Sequence, residues 1–434
     1  MVIAAKPETS QPRLLVEAPF ALRPENAPFR DCLPQLFDSD LELVPQLNEL
    51  YELQLAFGEA QCLSRDEIRT RGAYFAQVGS EYTNHFLLCN GAPLAVSSRS
   101  SLRLKSFFKM NQFKTGYATH GLFPYRGKFH PQMIKALLNV MGLRPGMTVL
   151  DPMSGSATVP VEAATVGIHS VGIDASPFCA LMGQAKARAL TAPVGALAGV
   201  FAQAKAIEQE LTAGGRPSVP DSIRDLVVLA YLDSRGYAER TENRTKRDLF
   251  GEILRKYSQA VDKFAKRRDE LKLEIGDAQI MTGDARAIAL PDESVDGVLF
   301  SPPYSFAVDY IENDLSHLQF LGHAPAKVRE SMVGLRGGRG REKVATYFTD
   351  MAQILSECHR VLVSGAYCVI VVGSNTNQLM QILRTSDPGE VSIEDRLCRI
   401  GAEIGLFPVH RMIRQITGMM NVMRDEYILF LRKD

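Results

Sequence analysis

Ser301-Pro302-Pro303-Tyr304 brings together a hydroxyl, rigidly held backbone carbonyls and an aromatic ring. Neither proline has an N–H to donate, so the pair cannot continue a strand ladder and it stiffens the chain. Such a group of atoms suits a flat ring that carries an amino group. The oxygens accept the amino hydrogens and the tyrosine stacks on the ring. Upstream, Asp151-Pro152-Met153-Ser154-Gly155-Ser156-Ala157-Thr158 joins an acid to a run of small residues, which lets backbone approach a ligand closely. Asp174 follows about 20 residues beyond that loop, where an acid accepts hydrogen bonds from ribose hydroxyls. A helix cap is the alternative role for Asp174. Asp284, in the turn after residue 280, is a further acid at a strand end.

These residues need elements that deliver them to one place. The mostly apolar run Val295–Phe300 reads as a buried strand that stops at the Pro-Pro turn. A short strand ends at Asp151 and is followed by a helix over 159–165. A second strand, 170–173, ends at Asp174, and residues 280–286 form a strand and turn. Residues 291–296 turn directly into the strand before Ser301. In open α/β sheets, ligands bind outside the carboxyl ends of strands, which is where these groups stand. A nucleotide-phosphate loop is the rival reading of residues 151–158. It is disfavoured, because the segment lacks the lysine of GxxxxGK[ST] and the spacing of GxGxxG.

At 434 residues the chain can bury a large core, and its length suits two or three domains. The 49 Lys and Arg balance the 49 Asp and Glu, so any phosphate binding requires positive charge concentrated locally. The seven cysteines are scattered without a CxxC pair, which suggests neither a zinc site nor a disulfide framework. No metal is expected, and a reduced cytoplasmic protein is the simplest reading. No apolar run reaches membrane-spanning length, so no membrane partner is expected. Residues 1–12 lack the build of a signal peptide.

The Ser-Pro-Pro-Tyr turn after an apolar strand resembles the catalytic motif of the S-adenosylmethionine-dependent methyltransferases that modify exocyclic amino groups of nucleobases. Its Ser-first form is most similar to the N4-cytosine DNA methyltransferases; adenine-N6 relatives more often begin with Asp or Asn. The loop 151–158 resembles the family's Asp-Pro-x-x-Gly-Ser-Gly-Thr cofactor loop, with Ala157 where the family usually has glycine. The resemblance covers roughly residues 120–180 and 277–434. It implies a class I methyltransferase fold, Rossmann-like, with a mostly parallel α/β sheet closed by a C-terminal antiparallel hairpin. It implies S-adenosylmethionine as cofactor, S-adenosylhomocysteine as product and DNA as partner. Ser301, Pro302, Pro303 and Tyr304 are then catalytic. Asp151, Pro152, Ser154, Gly155, Ser156, Thr158 and Asp174 then bind the cofactor, with Asp284 on the adenine amino group. His130 and Pro131, which open a helix over 133–141, resemble the segment that lines the methionine end. An RNA exocyclic-amine methyltransferase, for example on guanine-N2 of transfer RNA, is the nearest alternative. Adenine-N6 DNA methylation and a non-catalytic adaptor with this fold are further ones. Cytosine-C5 chemistry is rejected, because it needs a Pro-Cys nucleophile and Cys179 follows Phe178. A restriction partner is not readable here.

The rest of the chain divides around these motifs. Residues 1–115 form an accessory region, loosely ordered at first, then helical over 40–66 and a strand and turn over 84–93. Residues 116–184 form the cofactor half. Residues 185–275 are a helical insertion with mixed charges: its helices span 183–211, 221–231 and 247–273, and target recognition is its minority reading. Residues 276–434 form the catalytic half. Asp309, Tyr310, Asn313 and Asp314 lie on a helix near the site. The Gly-rich basic stretch 327–343, with Arg336, Arg339, Arg341 and Lys343, either follows a phosphate backbone or is a solvated loop. A helix over 351–361, a strand over 366–373 and two closing strands, 408–415 and 426–431, complete the sheet.

Overall fold

The computed structural model describes residues 36–44, 47, 49–90, 116–125, 128–240, 249–303, 310–373, 376–385, 391–415 and 425–434. A small antiparallel sheet comes first: β1 (Leu41–Leu43), β2 (Phe75–Val78) and β3 (Glu81–Tyr82). The main sheet contains β4 (Thr148–Asp151), β5 (His169–Asp174), β6 (Ala278–Thr282), β7 (Val295–Phe300), β8 (Leu362–Gly373), β9 (Leu406–Gln415) and β10 (Asp425–Lys433). Its order is β6-β5-β4-β7-β8-β10-β9. The pairs from β6 to β8 are parallel, and β10 is antiparallel to both β8 and β9. This is the class I methyltransferase arrangement, with the chain reversing its lateral direction between β4 and β7. The carboxyl ends of β4, β5 and β7 open a crevice at that switch point.

Local chemistry explains the main crossovers. Helix Pro131–Val140 begins with proline at its first position, and Gly142, at φ 81°, follows its end. Helix Pro177–Thr191 starts behind Ser176, whose hydroxyl accepts from Cys179 N–H. It ends at Thr191 and does not continue to residue 211 as its periodicity suggested. Pro193 forces Ala192 into extended backbone, and helix resumes at Ala198–Phe201 and Ala204–Thr212. Two long helices follow, Asp221–Arg240 and Leu249–Glu270. They stack on helix Pro177–Thr191 around fully buried Leu229, Phe250 and Leu254, each worth roughly 1.5–3 kcal/mol of burial. The same core takes in Leu122, Phe123, Ile311, Leu318 and Val328, so this helical layer braces segments on both sides of the crevice.

The N-terminal region differs from expectation in two places. Residues 41–43 are strand β1, and helix begins only at Leu50, where Glu49 and Glu52 form a capping box. Asn84–Asn90 is helix where a strand was expected. The Thr83 hydroxyl accepts from Phe86 N–H at 3.2 Å, and this local cap outweighs the strand propensity of the apolar residues. Residues 91–93 lie outside the described ones. Buried Tyr51, Leu55, Ile68 and Phe75 share a core with Met133 and Leu137 and with sheet residues Val149, Leu299 and Val369. A buried polar network reinforces that contact. Glu59 accepts from Ala73 N–H (2.9 Å) and from Asn139 Nδ2 (2.6 Å), and Arg71 Nε donates to Asn139 Oδ1 (2.7 Å). Residues 49–76 therefore cover one face of the main sheet. Among the described residues no helix is long and apolar enough to cross a membrane.

Candidate active site

The loop after β4 is held from below and behind. Asp151 is buried and accepts from Met153 N–H at 3.1 Å; burial raises its pKa well above the usual carboxylate range. Ser154 N–H donates to the Ile173 carbonyl (2.9 Å), and Ala157 N–H closes a turn onto the Ser154 carbonyl (2.6 Å). Gly155 (φ 47°) and Ala157 (φ 59°) both take left-handed backbone. Ala157 thus adopts the conformation for which glycine is the usual choice. Lys186, 1% exposed, donates from Nζ to the Ser156 carbonyl at 2.9 Å, and burial pushes its pKa down to about 7. Asp174, at the end of β5, accepts from Gly155 N–H on Oδ2 and from Ser176 N–H on Oδ1, both at 2.8 Å. It thereby ties the loop to the turn before helix Pro177–Thr191, whose N-cap is Ser176 and not Asp174. Burial raises its pKa.

One cleft, about 1000 Å³ including its open mouth, gathers most of the residues singled out in the sequence. Pro152, Ser154, Gly155, Ser156, Thr158, Asp174, Asp284, Ser301, Pro302 and Pro303 all line it. The strand ends of β4, β5, β6 and β7 therefore converge on a single site. Ser154 Oγ is buried there without a hydrogen-bond partner. Carboxylate and hydroxyl acceptors beside a loop with little side-chain bulk suit a ligand that offers hydroxyl and amino hydrogens. Tyr304 lies outside the described residues, as does Asp309.

His130 and Pro131 are not among the described lining residues; Tyr125, Lys128 and Phe129 form that wall instead. Pro131 is buried at the helix start. His130 has a buried, unpartnered Nδ1, and burial pushes its pKa down to about 4. The 116–123 segment is fixed by Glu162, which is 0% exposed. Its Oε1 accepts from Tyr117 OH and pairs with His120 Nε2, both at 2.5 Å, and Lys135 Nζ lies 3.3 Å from Oε2. Burial opposes ionisation of Glu162, but Lys135, His120 and Tyr117 outweigh it and bring the pKa down to about 2.

The far wall comes from Ser331, Met332 and Val333, at the start of the glycine-rich basic stretch. Gly334, at φ 80°, lets that stretch pack against Pro303: a Cβ there would stand 3.5 Å from Pro303 Cβ. Arg336 turns toward Asp350, with Nη1 at 3.0 Å from Oδ1. Arg341 Nη2 donates to the Leu383 carbonyl at 2.5 Å, Arg339 is exposed and Lys343 is half-buried. Arg336 and Arg341 are thus held by different partners.

Several site residues carried no motif. Tyr125 OH receives a hydrogen bond from Cys179 Sγ at 3.5 Å, and burial raises the Cys179 thiol well above its ordinary range, so it stays protonated. Asp314, which the sequence did place near the site, is buried between two short helices and is not among the described lining residues; burial together with nearby Asp174 raises its pKa to about 7. Lys186 sits 30 residues from the carbonyl it holds, and Arg286 sits 64 residues from Asp350. Local spacing carries no trace of contacts at that separation.

Residues 122–314 match a family profile described as RMKL-like, methyltransferase domain. The chain is 42% identical over 67 residues to the Type II methyltransferase M.MjaII of Methanocaldococcus jannaschii, which is 15% of this chain and 12% of that protein. It is 34% identical over 67 residues to the Type II methyltransferase M.BsoBI of Geobacillus stearothermophilus, 15% of this chain and 13% of that protein. It is 50% identical over 40 residues to a tRNA (guanine(6)-N2)-methyltransferase of Thermus thermophilus, 9% of this chain and 12% of that protein. The chain thus spans about an eighth of the length of each of these relatives.

Proposed function

We propose that this chain, whose residues 122–314 match a profile described as RMKL-like, methyltransferase domain, moves a methyl group from S-adenosylmethionine to the exocyclic N4 amino group of cytosine in DNA. The observation that carries the reading is the shared cleft: Ser154, Gly155, Asp174 and Asp284 line it together with Ser301, Pro302 and Pro303. When bound, the donor supplies an electrophilic methyl group on a positively charged sulfur. The chain's own residues do the rest. Asp174 accepts the ribose hydroxyls with the lone pairs that Gly155 and Ser176 leave open. Asp284 accepts the adenine amino group. Ser154 directs its free hydroxyl to the donor, and the side-chain-free Gly155 allows close approach.

The exocyclic nitrogen of cytosine is a weak nucleophile, because its lone pair is delocalised into the ring. The Ser301 hydroxyl and the Pro302 carbonyl accept its hydrogens and draw the nitrogen toward tetrahedral geometry. Their partial negative charge also stabilises the positive charge that develops on that nitrogen. The Pro-Pro unit holds these acceptors without reorganisation, and alignment supplies most of the rate gain. Tyr304 stacks on the base, which must leave the duplex first. The Ser-first form of the turn favours cytosine over adenine. The stretch shared with the Thermus thermophilus protein favours a second reading, guanine-N2 of transfer RNA.

Ser301→Ala tests the first reading. It is expected to lower single-turnover methyl transfer to duplex DNA by about 10²-fold, the scale of one lost transition-state acceptor. Binding of S-adenosylhomocysteine should stay unchanged. Undiminished transfer by the variant would remove Ser301 from the mechanism.

A further inference from the structure

We propose that Asp350 is a positioning residue that fixes the carboxylate edge of Asp284 through Arg286, and so makes the cleft prefer a ring bearing an amino group over one bearing an oxo group. This deepens the donor reading above and rests on it. Asp284 lines the cleft with its side chain 41% exposed. Arg286 grips that carboxylate on both oxygens: Nε donates to Oδ1 at 2.8 Å and Nη2 to Oδ2 at 2.7 Å. The Arg286 backbone N–H also donates to Oδ1, at 2.9 Å. An ionised carboxylate has further acceptor sites beyond those a single guanidinium occupies, so a ligand N–H can still be received. Arg286 lowers the pKa of Asp284 and keeps it an acceptor. An amino group meets that acceptor favourably, whereas an oxo group meets it with like partial charge.

An arginine two residues along a turn could swing away with its acid. Here it is held from the other side. Arg286 Nη1 donates to Asp350 Oδ1 at 3.1 Å, and Nη2 reaches the Ser331 carbonyl at 3.4 Å. Asp350 stands on helix Arg341–Val361 with its side chain 4% exposed. The same Oδ1 accepts from Arg336 Nη1 at 3.0 Å, while Oδ2 is buried without a partner. A buried acid with one oxygen unsatisfied is unfavourable by itself. Its geometry is explained by the two arginines it aims, one at the cleft and one in the basic stretch. The rival explanation is that Asp350 only pins residues 331–336 to the helix. In that case a ligand's ring substituent would not sense the loss of Asp350.

Calorimetric binding of S-adenosylhomocysteine and of its 6-oxo analogue, S-inosylhomocysteine, separates the two. Wild type should favour the amino form by about tenfold, the scale of one hydrogen bond to a charged acceptor. Asp350→Asn should reduce that ratio several-fold, mainly by weakening the amino form. Arg286→Lys keeps the charge but loses the two-point grip, and should reduce it likewise if Asp350→Asn fails to fold. A ratio that stays at the wild-type value in either folded variant overturns the proposal, as does equal weakening of both ligands. Wild type that binds neither ligand overturns the donor reading and this proposal with it. Wild type that discriminates, beside an Asp350→Asn that discriminates equally, overturns the positioning role alone.

Discussion

Ala157 holds left-handed backbone at φ 59° with its side chain fully buried. A non-glycine residue there carries roughly 1–2 kcal/mol of strain. Ala157→Gly relieves it but gives up a buried methyl worth about 0.8 kcal/mol. The expected result is a change in urea-unfolding free energy between zero and about +1 kcal/mol, with S-adenosylhomocysteine affinity retained. A loss of affinity would show that the methyl itself shapes the loop. Asp174→Ala should weaken S-adenosylhomocysteine by at least about tenfold, since each hydrogen bond to a charged acceptor is worth roughly 1.5–3 kcal/mol. Unaltered binding by calorimetry would move the ribose site elsewhere. The acids and small residues were legible because each belongs to a contiguous strand-end motif. Arg286 was adjacent to one, yet its partner Asp350 lies 64 residues away and left no local sign.

Gly183 shows how tightly a helix must approach the loop that it supports. A Cβ at that position would come within 2.9 Å of Ile280 Cγ2 and 3.0 Å of Ala157 Cβ. Gly183→Ala should therefore destabilise the protein by about 1–3 kcal/mol, measured by urea denaturation, because neither neighbour can yield without moving β6 or the loop. Stability equal to wild type would mean that the helix shifts freely. At this scale the strands of the main sheet were readable, since apolar runs bounded by Gly and Pro mark them, whereas the crossover helices were readable in place but not in extent: the one expected over 183–211 stops at Thr191, and the one expected over 351–361 begins at Arg341. Asn84–Asn90 was not readable as helix. Its apolar residues fit strand propensity, and the Thr83 cap that makes them helical competes only weakly in sequence.

The fold as a whole was legible from the alternation of strands and helices, whereas the packing of the N-terminal region was not. Glu59 and Asn139 stand 80 residues apart, and the network between them seals residues 49–76 onto the main domain. Glu59→Ala should lower stability by about 3 kcal/mol or more, because it strands buried donors on Ala73, Tyr74 and Asn139. An unchanged denaturation midpoint would contradict that. Acid sensitivity is also a property of the whole domain. Glu162 has a folded pKa of about 2 against an ordinary value of 4.5. Its contribution is full above that ordinary value and is lost as pH falls toward the folded one. Buried His120 acts in the same direction, since its lowered pKa means that unfolding takes up a proton in acid. Asp151, Asp174 and Asp314, whose pKa values are raised by burial, act the other way, so the test is the difference between variants: in thermal melts below about pH 5, stability should fall less with acid in Glu162→Gln than in wild type. Identical slopes would remove Glu162 from the account.

The central claim is methyl transfer to cytosine in DNA, and a labelled-methyl assay tests it most directly. Duplex DNA, single-stranded DNA and bulk transfer RNA would each be incubated with S-adenosylmethionine and the protein, then digested for nucleoside mass spectrometry. The account predicts N4-methylcytosine from DNA. N6-methyladenine, or label confined to N2-methylguanine in transfer RNA, would contradict the assignment of cytosine to the Ser301 turn.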